Sequence, residues 1–206
     1  NKIMKKSLYY LYAAQLLFIS PSILYWLDGR DYSLSDLGIY GFFPLLGLVA
    51  FTMMWFHLMV AGLKHRRPEM FDYKTFYRRT SNIVLALIVL HPLLLIYKSV
   101  DLGVLYFDYA GEVGKPFIAF GTLAFLTFMI YEVVERLRER PAIKNNWAYV
   151  VAMNRIGFIL IFAHGLQLGQ HLQSGPLKVL WLFFGLTAAY YMIDSYRNEI
   201  RSTKST

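Results

Sequence analysis

The sequence predicts an all-α membrane protein, a six-transmembrane-helix bundle with the N and C termini on the cytoplasmic side. Three observations carry this expectation. Hydrophobic residues fill 57% of the 206 positions and charged residues only 17%, where a soluble domain carries roughly 25% charge. Six separate apolar runs are each long enough for a bilayer, which takes about 20 residues per helix. Lys and Arg crowd the loops that a six-span path places on one side.

The first run, Leu8–Leu27, opens with Tyr9, Tyr10 and Tyr12 and closes with Tyr25 and Trp26, rings suited to the headgroup level. It is too long for the apolar region of a signal peptide and no small-residue cleavage pattern follows, so a span is expected. The second, Gly38–Leu63, is long enough to tilt or to extend past the bilayer. The third, Thr80–Tyr97, follows a basic cluster and ends at Lys98. The fourth is Pro116–Val134, the fifth is Trp147–Gln170 with an interfacial Trp at its start, and the sixth is Leu177–Ile193. Residues 1–206 therefore read as a single six-span domain. The sequence carries no evident internal repeat, low-complexity linker or separate soluble domain.

Orientation follows from charge. Lys2, Lys5 and Lys6, then Lys64, Arg66, Arg67, Lys74, Arg78 and Arg79, then Arg136, Arg138, Arg140 and Lys144, then Arg197, Arg201 and Lys204 all fall on one side. The other side has Arg30, Lys98, Lys115 and Lys178 among Asp28, Asp31, Asp36, Asp101, Asp108 and Glu112. The basic side is expected to be cytoplasmic. The net charge of +8 then serves topology and lipid headgroups rather than nucleic acid. The absence of cysteine excludes disulfides, thiolate catalysis, iron–sulfur ligation and cysteine-based zinc sites.

Ionisable groups inside a span are costly and are functional candidates by default. Four histidines fall in or at the edge of spans, His57, His91, His164 and His171, while His65 is expected in a loop. His91 lies about 16 Å along a helix begun at Thr80, at a rise of 1.5 Å per residue. His164 has a matching position near the outer end of the fifth run. Two opposed imidazoles at one depth can supply both axial ligands of a haem iron. His171, seven residues after His164, is expected on nearly the same helix face; it reads as a haem propionate contact or substitute ligand, or as an interfacial histidine in water. His57 lies nearer the cytoplasm and reads as a helix–helix hydrogen-bonding residue, with a second haem or a quinone contact as the alternative. Arg155 either snorkels to the interface or pairs with a propionate or headgroup. Pro92 is expected to kink its helix. Ala163 and Gly165 flank His164 and permit close approach by a macrocycle or a helix.

Two stretches, Tyr77-Arg78-Arg79-Thr80-Ser81…Leu90-His91-Pro92-Leu93 and Trp147-Ala148-Tyr149-Val150-Val151…Ala163-His164-Gly165-Leu166, resemble spans three and five of the ferric reductase-like transmembrane domain. In length and layout the chain is most similar to the haem-binding membrane subunits of periplasmic methionine sulfoxide reductase systems within that superfamily. The resemblance implies a bacterial inner (plasma) membrane location. It also implies an outer haem site at His91 and His164. The inner-haem positions of the family fall on Tyr77 and Val151, so the resemblance implies a degenerate inner site and one haem b.

These readings lead to a b-type membrane cytochrome, an electron-transfer subunit of an oxidoreductase. It is expected to carry electrons between a quinol or partner redox protein and an acceptor on the outer side. Gln167, Gln170 and His171 are the candidate outer-side quinone contacts. The chain has no G-x-G-x-x-G after a strand and no flavin site, so chemistry on a second substrate falls to a partner subunit. The alternative is a non-catalytic membrane anchor or assembly subunit of a larger redox complex, docking through the loop Ser99–Lys115 with Tyr106, Phe107 and Tyr109. A transporter or channel is a third reading, for which the intramembrane charges are few.

Overall fold

The computed structural model describes residues 2–35 and 38–204, with side chains described for 8–35, 38–64 and 66–195. Asp36 and the side chains of Lys2, Lys5, Lys6, His65, Arg197, Arg201 and Lys204 lie outside the described residues. The chain forms α1 (Lys2–Asp28), α2 (Phe43–Arg66), α3 (Tyr73–Asp101), α4 (Gly111–Arg136), the short α5 (Pro141–Lys144), α6 (Trp147–Leu168) and α7 (Gly175–Lys204). No strand occurs among the described residues. Six helices are long and apolar enough to cross a membrane, with spans at Leu8–Asp28, Ile39–Lys64, Tyr73–Asp101, Gly111–Arg136, Trp147–Leu168 and Gly175–Ser195. The expected all-α, six-span class is therefore observed.

Hydropathy marks only the apolar part of each helix. α3 begins at Tyr73, seven residues ahead of the apolar run that starts at Thr80, because Lys74, Arg78 and Arg79 continue the helix in a polar setting. His65 lies in the last turn of α2 rather than in a loop. α1 and α3 stay helical through Pro21 and Pro92. Proline removes one backbone donor, and neighbouring helices accommodate the freed carbonyl in such spans.

Two compact units divide the chain, residues 1–95 with 174–206, and residues 96–173. In the first unit α2 packs against α1 and α7, and α1 against α7. Its core is aromatic. Phe51 stacks on Trp181 with ring centroids 4.1 Å apart, and Trp55 stacks on Phe184 at 4.2 Å. Phe18 from α1 meets Trp55 edge-on at 4.8 Å. Without a strong hydrophobic drive between helices in lipid, such packing and a few interhelical hydrogen bonds hold the unit together. Trp55 donates from Nε1 to Thr187 Oγ1 at 2.9 Å, and Ser22 and Thr52 share a buried bond at 3.4 Å. Ile19, Met53 and Val84 tie α1, α2 and α3 into one cluster.

In the second unit α4 packs along α6. Gly157 accommodates Thr127 and Phe128, and Leu168 lies in ordinary contact over Gly114. The loop before α4 is tied down within the same unit. Tyr106 and Thr122 share a hydroxyl bond at 3.3 Å, and Lys115 pairs with Asp108 at 2.8 Å and with Glu112. Arg138 lies 4.4 Å from the Trp147 ring centroid, closing the end of the α4–α6 pair.

Candidate functional site

His91 sits on α3, facing the first turn of α2. Its Nδ1 donates to the carbonyl oxygen of Phe43 at 2.9 Å. A carbonyl only accepts, so the Nδ1 atom carries the proton. In the neutral ring the lone pair is then on Nε2, the nitrogen that binds a metal when the other is held this way. The Phe43 ring also stacks on His91 at 4.2 Å and 11° between planes, with Tyr40 stacked on Phe43 at 5.2 Å. Four residues after Phe43, Gly47 gives the imidazole its place. A Cβ there would stand 2.8 Å from His91 Cε1, closer than side chains tolerate.

His164 on α6 is built in the same way in its own unit. Its Nδ1 donates to the carbonyl oxygen of Phe117 on α4 at 2.8 Å. Four residues on, Gly121 lies beneath the ring, where a Cβ would approach His164 Nδ1 to 2.5 Å. Both histidines are partly buried and both have the proton on Nδ1.

His57 is held by its other nitrogen. The Thr80 hydroxyl donates to the Phe76 carbonyl at 2.9 Å, which uses its single proton. It therefore accepts from His57 Nε2–H at 2.7 Å. Tyr77 donates from its hydroxyl to the His57 carbonyl at 3.0 Å and meets the ring edge-on at 5.2 Å. Phe76, fully buried, closes another side at 5.5 Å. His57 thus bridges α2 and α3 through a neutral hydroxyl.

No family model, curated protein or solved structure matches the chain.

The remaining candidates fall on α6 and just after it. Arg155 is half-buried on α6, nine residues before His164, and Val151 is half-buried a turn earlier. His171 is not on the α6 face that its spacing suggests. The helix stops at Leu168, Gly169 is extended at ψ 106°, and His171 lies in a 3-10 turn over Gln170–Leu172. The Gln173 amide caps this exit by donating to the carbonyls of Leu166, Gln167 and Gly169 at 3.1–3.3 Å. Helical register therefore ends before His171. Gln167 and Gln170 are exposed beside it.

Among the described residues no group of three or more His, Cys, Asp or Glu side chains is placed to hold a bare metal ion. That is compatible with haem, whose macrocycle supplies four of the six iron ligands and asks the protein for two. Taken singly, each imidazole has the chemistry of such a ligand, with its Nδ1 proton on a backbone carbonyl. Phe43, Gly47, Phe117 and Gly121 are absent from the sequence-level candidates. The signal that finds them is a Phe followed four residues later by Gly, occurring once 48 and once 47 residues ahead of a histidine.

Proposed function

We propose that the chain is a b-type haem membrane cytochrome subunit, with His91 and His164 as the axial ligands of one haem. It carries electrons between a quinol or a partner redox protein and an acceptor on the outer side. The observation that carries this reading is the shared second contact of the two rings: Nδ1–H to the carbonyls of Phe43 and Phe117 at 2.9 and 2.8 Å. Such a bond fixes the tautomer, orients the ring and raises the basicity of the ligating nitrogen. Haem supplies one-electron redox chemistry, and two imidazoles leave no open position on its iron, which favours electron transfer over oxygen binding. The chain's own part is to hold the rings, exclude water with aromatic side chains and set the field around the site. The resemblance to the ferric reductase-like transmembrane domain supports the same two histidines. Arg155 is the candidate partner for a propionate or headgroup, and Gln167, Gln170 and His171 are the candidate contacts for a quinone. The Lys and Arg asymmetry supports cytoplasmic termini, and a bacterial inner-membrane location is what the resemblance implies.

The second reading is an anchor or assembly subunit of a larger redox complex. The loop before α4 favours it, since Leu102, Val104, Leu105 and Phe107 are exposed there beside the Lys115 ion cluster. A reduced-minus-oxidised visible spectrum of the purified chain, with haem quantified per polypeptide, separates the two. About one haem per chain with the sharp bands of bis-imidazole ligation is expected. A haem-free protein would falsify the cytochrome reading and favour the anchor. Two haems per chain would overturn the single-site account.

A further inference from the structure

We propose that Gly47 and Gly121 are positioning residues for His91 and His164, set in two copies of one histidine-presenting device. The inference rests on the haem reading for its purpose, though the geometry stands without it.

The two sites share two supporting contacts, although only His91 also has the ring of its Phe stacked on it. In each, a Phe carbonyl accepts the Nδ1 proton, and the Gly one turn later lies against the same imidazole. Residues four apart share a helix face, so the carbonyl and the notch present themselves together. Any Cβ at either Gly would push the ring off its carbonyl, because the contact is with a rigid ring rather than a flexible chain end.

The match extends along the sequence, correcting the expectation of no internal repeat. Phe43, Gly47, Ala50 and Phe51 on α2 recur 74 positions later as Phe117, Gly121, Ala124 and Phe125 on α4. On the partner helices, Ile83, Leu87, Ile88, His91 and Leu93 recur 73 positions later as Ile156, Leu160, Ile161, His164 and Leu166. Ala50 and Ala124 are both buried. The repeat escapes notice because most of its letters are apolar residues that any span uses, and α5 with its flanks interrupts the second copy. The backbones of α4 and α6 approach closely along their length and those of α2 and α3 do not, so what recurs is the local device, a Phe carbonyl and a Gly one turn on, whose output is an imidazole with its proton on Nδ1. A residue that fixes that ring acts on haem only through it, and is a positioning residue in that sense.

The test uses the full chain, labelled with 15N-histidine, reduced so that any haem is diamagnetic, and read by proton–nitrogen NMR in lipid nanodiscs. The wild type is expected to show two hydrogen-bonded Nδ1–H signals, assigned by His91→Gln and His164→Gln. Gly47→Ala is expected to lose or shift the His91 signal alone, and Gly121→Ala the His164 signal alone. Wild-type rings carrying the proton on Nε2 instead would overturn the proposal without any glycine variant. So would folded glycine variants whose ring signals match wild type. Haem per chain is measured on the same samples. Wild-type protein without haem but with both Nδ1–H signals refutes the cofactor reading and leaves the positioning role intact. Haem-loaded variants with unmoved signals do the reverse.

Discussion

His57 and His91 belong to the same pair of helices and differ in which nitrogen holds the proton. His91 gives Nδ1–H to a backbone carbonyl, which is immovable and only accepts. His57 gives Nε2–H to the Thr80 hydroxyl and is packed between Phe76 and Tyr77. The first arrangement turns the remaining lone pair to the end of the ring and suits a metal ligand. The second satisfies a costly polar group between helices and suits structure. Depth along the chain already sets these two residues apart, and the bond made by the second nitrogen gives the physical difference between them.

The sharpest way to break this comparison is to remove each ring. His91→Gln and His164→Gln are expected to lose essentially all haem, while His57→Gln keeps wild-type loading, read as haem per chain by visible spectroscopy. Equal loss in His57→Gln would collapse the distinction. Next, Thr80→Val strands the half-buried His57 N–H donor. A destabilisation of about 1 kcal/mol, the low end for a donor left unsatisfied, is expected, measured by steric trapping or detergent unfolding, with haem content unchanged. Tyr77→Phe removes one interhelical bond without stranding a donor. Its expected cost is on the order of 0.6 kcal/mol, typical for such bonds in membranes, again without loss of haem.

The smallest effect concerns the start of α3, the helix that carries His91 and Thr80. Asp72 accepts the Thr75 backbone N–H at 3.0 Å, and this bond holds its carboxyl below the usual range. A lowered folded-state value means that the stabilisation is fully present above the unfolded value of about 3.9 and fades as pH falls through the folded value. Asp72→Ala is expected to flatten that acid limb of the stability profile and leave neutral-pH haem loading untouched. An unchanged limb in unfolding midpoints across pH would show that the cap contributes nothing.

Much of the fold is legible in the sequence. Spans one, two, five and six agree within two residues and the fourth begins five residues earlier than its apolar run, because hydrophobic length marks the part of a helix that can cross a bilayer. The longer α3 is less legible at its start, since a helix continues into polar surroundings that hydropathy does not score. His91 and His164 are legible as candidates, because an ionisable group in an apolar run stands out. Their tautomers are not. The acceptors are carbonyls of Phe43 and Phe117, and every residue has a carbonyl, so no side-chain identity announces the bond. His171 misleads for the opposite reason. Its spacing from His164 assumes a helix that Gly169 ends.

The sequence by itself determined the solvent, the number of crossings and the short list of imidazoles, because these depend on composition and on distance along one chain. Only the tertiary structure decided which nitrogen of each ring is held, which glycine admits it, and that Thr80 is the partner of His57. Those depend on atoms brought together from positions 23 to 48 residues apart, by packing that no local pattern encodes.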